Sequence, residues 1–81
     1  MNKYISLDKL KPREVATVTS IDASSAMRER FEDLGITPGT EISCVMISPL
    51  GDPVAYLVRG ALIAIRREDA KGIGICYGTH L

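Results

Sequence analysis

The chain carries no excess charge: ten basic residues offset ten acidic ones, and the isoelectric point lies near 6.5. That balance argues against nucleic acid as a partner, because such binders set basic surface against phosphate. It does not exclude a local basic patch, because Arg59, Arg66 and Arg67 lie close together in sequence. Long apolar runs are missing too. The longest, Ala61 to Ile65, has five residues, far short of the ~20 that span a bilayer. The opening Met1-Asn2-Lys3-Tyr4 lacks the apolar stretch of a secretory signal. Direct membrane insertion is therefore not expected. Cysteine is scarce as well: Cys44 and Cys76 stand far apart and form no Cys-x-x-Cys pair. A secreted domain this small would carry more bridges. A reducing cytoplasm with both thiols free is the expectation, and the spacing leaves open whether the two sulfurs meet.

Reactive constellations are equally sparse. His80 is the lone histidine, and no nucleophile–base pair is expected near it. There is no glycine-rich phosphate loop with a lysine and no pair of catalytic carboxylates. Eighty-one residues allow one small domain, residues 1–78 with a tail at 79–81, burying a little over ~60% of its unfolded surface. A deep cleft is not expected, and the chain reads as a non-enzyme.

What remains is strand and turn. Leu7 and Leu10 fit one helical turn of an N-terminal docking arm, which Pro12 ends. Val15 to Ile21 is rich in β-branched residues and reads as a first strand. Met27, Phe31 and Leu34 repeat at helical spacing over roughly residues 24–34, behind capping side chains at 22–25. Gly35 fits the left-handed position past the helix end, with Ile36 folding back on Phe31. Pro38-Gly39 fits a type II turn. A strand follows from Thr40 to about Ile47, with Ile42, Cys44 and Met46 on one face and Glu41, Ser43, Val45 and Ile47 on the other. Pro49 to Pro53, with Gly51, is a loop, since neither proline can donate to a ladder. Strands follow at 54–59 and 62–66 with Gly60 between them, then one helical turn at 67–70. A last strand runs from Lys71 to Tyr77, with Ile73, Ile75 and Tyr77 on one face and Gly72, Gly74 and Cys76 on the other, the glycines admitting a close backbone. Five to six short strands and one helix in so short a chain fit a small, strongly bent antiparallel barrel.

These residues resemble a known family. Arg30-Phe31-x-x-Leu34-Gly35-Ile36-x-Pro38-Gly39-Thr40-x-Ile42 is similar to the centre of the FeoA family, small proteins of bacterial ferrous iron uptake. Pro49-Leu50-Gly51-Asp52-Pro53-Val54, Val58-Arg59-Gly60 and Ile63-Ala64-Ile65-Arg66-x-Glu68-x-Ala70 resemble its second half. Leu7, Leu10, Lys11, Pro12 and Glu14 resemble its N-terminal segment. The likeness covers about residues 5–76. It implies an SH3-like barrel in the cytoplasm, without catalytic residues, acting on the cytoplasmic GTPase part of the FeoB transporter. The alternative it implies is a metal-linked sensor module like the C-terminal domain of iron-dependent repressors. With no helix-turn-helix ahead and only 14 residues before the first expected strand, the stand-alone reading is preferred. Arg13 stands where the family pattern has glycine, so the first turn is expected to avoid positive φ. Ala61, Leu62, Met46 and Ile47 also depart from the pattern.

Several residues are candidates for function. Val45, Met46, Ile47 and Leu50 put apolar side chains on both faces of one strand and its loop, more than a one-core barrel can bury. They form a partner-binding patch, or the helix or arm covers them, or they mediate self-association. The Pro49–Pro53 loop either presents Leu50 and Asp52 rigidly or is a stiff connection in which Asp52 satisfies turn amides. Arg59 and its neighbours either meet an acidic face of a GTPase domain or form a mutually paired, solvated surface. Metal is the weakest candidate: Cys44, Cys76 and His80 are the soft donors, and one Cys-x-x-x-His pair lacks further ligands. Cys44 reads as a small core residue. No cofactor is expected, though a transition metal is kept as a minor reading. Gly35, Pro38, Gly39, Gly51, Pro53 and Gly60 read as structural turns.

Overall fold

The computed structural model describes residues 4–78. Its strands are β1 (Tyr4–Ser6), β2 (Val15–Ile21), β3 (Glu41–Ile47), β4 (Val54–Val58), β5 (Ala61–Ile65) and β6 (Ile73–Tyr77). They form one antiparallel sheet in the order β1-β6-β2-β3-β4-β5. A 3₁₀ turn (Leu7–Lys9) follows β1, helix α1 (Ser25–Asp33) follows β2, and helix α2 (Arg67–Ala70) follows β5.

Short helical segments after the two edge strands draw the ends of the sheet together. α2, after β5, packs on the 3₁₀ turn after β1. The Tyr56 hydroxyl on β4 donates to the Leu7 carbonyl at 3.4 Å, and Arg67 Nη1 donates to the Asp8 carbonyl at 3.3 Å. The sheet thus curls around one core, as the small bent barrel expected from sequence. Alternate residues supply that core: Ala16 and Val18, Ile42 and Cys44, Val54, Tyr56 and Val58, Ile73 and Ile75. Leu7, Leu10, Phe31 and Ile36 close it from outside the strands. Burying one such side chain contributes about 1.5–3 kcal/mol.

Local signals decide the helix. Ser24 caps α1, its Oγ accepting from the Met27 amide at 3.3 Å. At the other end the Gly35 amide donates to the Glu32 carbonyl at 3.0 Å and the Ile36 amide to the Phe31 carbonyl at 2.8 Å. Gly35 has φ 86°, so this is the left-handed stop expected, with Ile36 and Phe31 both buried. The Pro38-Gly39 turn also forms, with Gly39 at φ 94° and the Thr40 amide on the Thr37 carbonyl at 3.0 Å. Where β2 meets β6, the Asp22 amide donates to the Gly72 carbonyl at 2.7 Å. A Cβ on Gly72 would overlap the Asp22 carbonyl oxygen, which is the close backbone approach that glycine permits.

Three expectations need correction. The docking arm begins with a strand: β1 pairs with β6, Ile5 facing Ile75, so Val15–Ile21 is the second strand. Arg13 does not avoid positive φ; it sits at φ 75°. Pro12 before it sets a tight turn, closed by the Glu14 amide on the Lys11 carbonyl at 3.0 Å. The Arg13 amide is fixed on the Cys44 carbonyl at 2.9 Å. These bonds impose the conformation without glycine. Finally, β4 stops at Val58 and β5 starts at Ala61. Arg59 at φ 51° and Gly60 at φ 83° form a two-residue turn whose twist matches the strands.

Candidate functional site

The patch proposed from sequence is shaped by one irregularity. On β3, Cys44 faces Tyr56 and Met46 faces Ala55, so Val45 is an extra residue in the ladder. Such a bulge puts two residues opposite one and reverses the alternation beyond it. Met46 therefore leaves the face of Ile42 and Cys44, where the unbroken alternation had placed it. Val45 and Met46 both reach the outer face, while Ile47, opposite buried Val54, moves to the margin of the inner one.

Cross-strand neighbours extend this outer face. One row is Ser43, Leu57 and Leu62; the next is Val45 and Met46, Ala55 and Ala64. Met46 is 59% exposed, Leu62 61% and Leu50, at the tip of the β3–β4 loop, 95%. The reading in which the helix or the arm covers Met46 and Leu50 is thereby corrected: among the described residues nothing shields them. Leu57 was missed by sequence reasoning. It lies in an apolar run, Val54-Ala55-Tyr56-Leu57-Val58, whose two faces are both hydrophobic, and that was the available signal.

The other candidates sit elsewhere. Asp52 Oδ1 accepts from the Arg67 amide at 3.0 Å, and Arg67 Nε donates to the Gly51 carbonyl at 2.6 Å. The Pro49–Pro53 loop is thus tied to the start of α2, and the amide that Asp52 satisfies belongs to α2 rather than to the loop. Gly51 takes φ 87°, its amide on the Ser48 carbonyl at 2.8 Å. Arg59 is at the far end of β4 from Leu50, about 13 Å along the strand at the usual rise. Its side chain covers Gly35, with Nε on the Gly35 carbonyl at 3.2 Å and Nη2 on Thr40 Oγ1 at 3.2 Å. Arg59 and Leu50 are therefore not brought together. The expectation of mutual charge pairing also shifts, because Arg59 and Arg67 spend these donors on neutral oxygens.

The thiols diverge. Cys44 is buried in the core beside Tyr56. Cys76, between inward-facing Ile75 and exposed Tyr77, stands on the opposite side of the sheet, with β2 between their strands. Both are free, and sulfurs on opposite faces cannot bridge. Burial raises the Cys44 pKa, a rise the Arg67 charge partly offsets and Glu14 adds to. Burial likewise pushes the Tyr56 phenol up to about 12. Among the described residues no three His, Cys, Asp or Glu side chains gather as a metal would require; His80 lies outside them. No helix among them is long and apolar enough to cross a membrane.

A comparison with known families matches residues 5–75 to the FeoA domain. Among curated proteins, a fusion protein of Fe(2+) transport protein A and Fe(2+) transporter FeoB from Porphyromonas gingivalis is 30% identical over 69 residues. That match takes in 85% of this chain, which spans only 8% of the fusion protein's length. The solution structure of the FeoA protein of Chlorobium tepidum is 37% identical, with a TM-score of 0.86 over 90% of this chain and 70% of that one. The crystal structure of Stenotrophomonas maltophilia FeoA with zinc, described as a procaryotic SH3 domain protein, is 28% identical, with a TM-score of 0.77 over 88% of each chain.

Proposed function

The chain belongs to the FeoA family, and we propose that it is an accessory protein of ferrous iron uptake that binds the cytoplasmic GTPase part of a FeoB-like transporter. The observation that carries this reading is the fusion protein, whose name joins the two proteins in one polypeptide. Fusion supplies a high effective concentration without requiring strong contacts. An unfused domain of this kind would have to recover that with a surface of its own, and the outer face of β3, β4 and β5 is the apolar surface at hand. In this reading the protein works in the cytoplasm, as a binding module without chemistry of its own. Val45, Met46, Leu57 and Leu62 supply the contact, and Ile47, Leu50 and Asp52 border it. Charge elsewhere on the surface, Arg59 included, sets encounter rate rather than affinity.

The test is capture of the transporter's soluble GTPase domain on the immobilised protein, with GDP, with a non-hydrolysable GTP analogue and without nucleotide. Retention in at least one state is expected. No retention in any of the three, together with unchanged iron uptake on deleting the gene, would overturn the reading.

A further inference from the structure

β5 ends the sheet, because no strand lies beyond it in the strand order. Edge strands are usually protected by proline, a charge or a bulge. Ala61-Leu62-Ile63-Ala64-Ile65 has neither proline nor charge, and its pairing with β4 runs without a register shift. The two-residue turn makes Val58 and Ala61 a hydrogen-bonded pair, and alternation then assigns Ile63 and Ile65 to bonds with β4. Leu62 and Ala64 point their amides and carbonyls the other way. Among the described residues, no backbone bond outside the sheet engages Ala61–Ile65. Beside this edge runs a groove of about 310 Å³, with Met27, Phe31 and Leu34 of the α1 side on one wall and Ala64 and Ile65 on the other.

We propose that β5 accepts an extended segment of another protein as a seventh strand, bonded to the backbone of Leu62 and Ala64. The segment's side chains on one side would fill the groove against Met27, Phe31 and Leu34. Those on the other would extend the row of Leu57 and Leu62. Main-chain bonds supply affinity in such additions and alternate side chains supply specificity. Charge selects the occupant. Arg30 and Arg66 outnumber Asp69 along the groove, and Arg59 stands past the other end of the strand. The fitting segment is apolar at alternate positions and acidic at its ends. A second copy fits worse: an antiparallel β5 pair centred on Ile63 brings the Arg59 turn of one copy near Arg66 and the start of α2 of the other, basic end against basic end, and juxtaposed like charges disfavour a partner. The inference does not depend on the transporter being the source of the strand.

The experiment titrates the protein with the capped heptapeptide Glu-Ile-Thr-Val-Thr-Ile-Glu and follows amide hydrogen exchange. At saturation the Leu62 and Ala64 amides should exchange at least about tenfold more slowly. A version with lysine at both ends should bind about tenfold more weakly. Ala64→Pro removes an edge-facing donor at a position where an edge strand tolerates proline, and should abolish binding. As a check that needs no change in the protein, the peptide is N-methylated at alternate residues in its two possible phases. One phase should bind and the other should not. Unchanged exchange at Leu62 and Ala64, or equal binding by both methylated phases, would overturn the proposal. So would peptide-free self-association that protects the same two amides, since it would make the occupant a second copy.

Discussion

The three strands β3, β4 and β5 carry much the same apolar residues on both faces, yet the two faces meet different fates. Inside, Ile42, Cys44, Val54, Tyr56, Val58 and Ile65 are packed into the core. Outside, Val45, Met46, Leu57 and Leu62 stand in water. The inner residues are explained by folding, since each adds burial free energy and close packing. The outer residues, 43–61% exposed, add far less of that kind. Under the proposed function, the contrast separates residues that hold the barrel from residues offered to a partner.

Removing inner bulk is the most forceful way to break this contrast. Ile42→Ala should destabilise the protein by about 2–5 kcal/mol in chemical denaturation. A loss under about 1 kcal/mol would mean that the inner face is loosely packed and that the two faces differ less than they look.

A second measurement sharpens the inner side through Tyr56. Its folded pKa is pushed up to about 12, above the ordinary 10 of an unfolded chain. The folded form therefore holds its proton more tightly. The associated stability is complete below pH 10 and is lost as pH rises from about 10 to about 12, by up to roughly 3 kcal/mol. Alkaline denaturation of Tyr56→Phe should lack that loss while the wild type shows it. Parallel curves for the two would show that the phenol ionises without strain, as a partly solvated group would.

The smallest effect is expected outside. Leu57→Ser together with Leu62→Ser should change stability by no more than about 0.5 kcal/mol, while binding to the transporter's GTPase domain weakens about tenfold or more. A large stability loss would show that the outer face belongs to the fold after all.

How legible these faces were in sequence depended on whether the signal was local. The helix cap at Ser24, the glycine stop at Gly35 and the Pro38-Gly39 turn are set by residues within a few positions of one another, so spacing and propensity revealed them. The inward alternation of Ile42 and Cys44 was visible for the same reason. The bulge at Val45 was not, because it is defined by what lies opposite on β4, and a strand read alone continues its alternation. Met46 was placed on the wrong face for that reason. β1 escaped notice because its three residues are too few for a period and are held only by β6. The positive φ of Arg13 is a tertiary effect, imposed by the Cys44 carbonyl. The surplus of apolar side chains near Val45–Leu50 was legible, whereas Leu57 and Leu62, which complete the face, required the cross-strand register.

Arg13 has one further consequence. A residue with a Cβ in the left-handed region gives up about 1–2 kcal/mol that glycine would not. In a domain of this size 1 kcal/mol corresponds to roughly 4–8 °C in melting temperature. Glycine at this surface turn would relieve that strain but loosen the unfolded chain, an opposing effect of about 0.5–1 kcal/mol, so the net gain in heat tolerance is only what remains after the two offset each other.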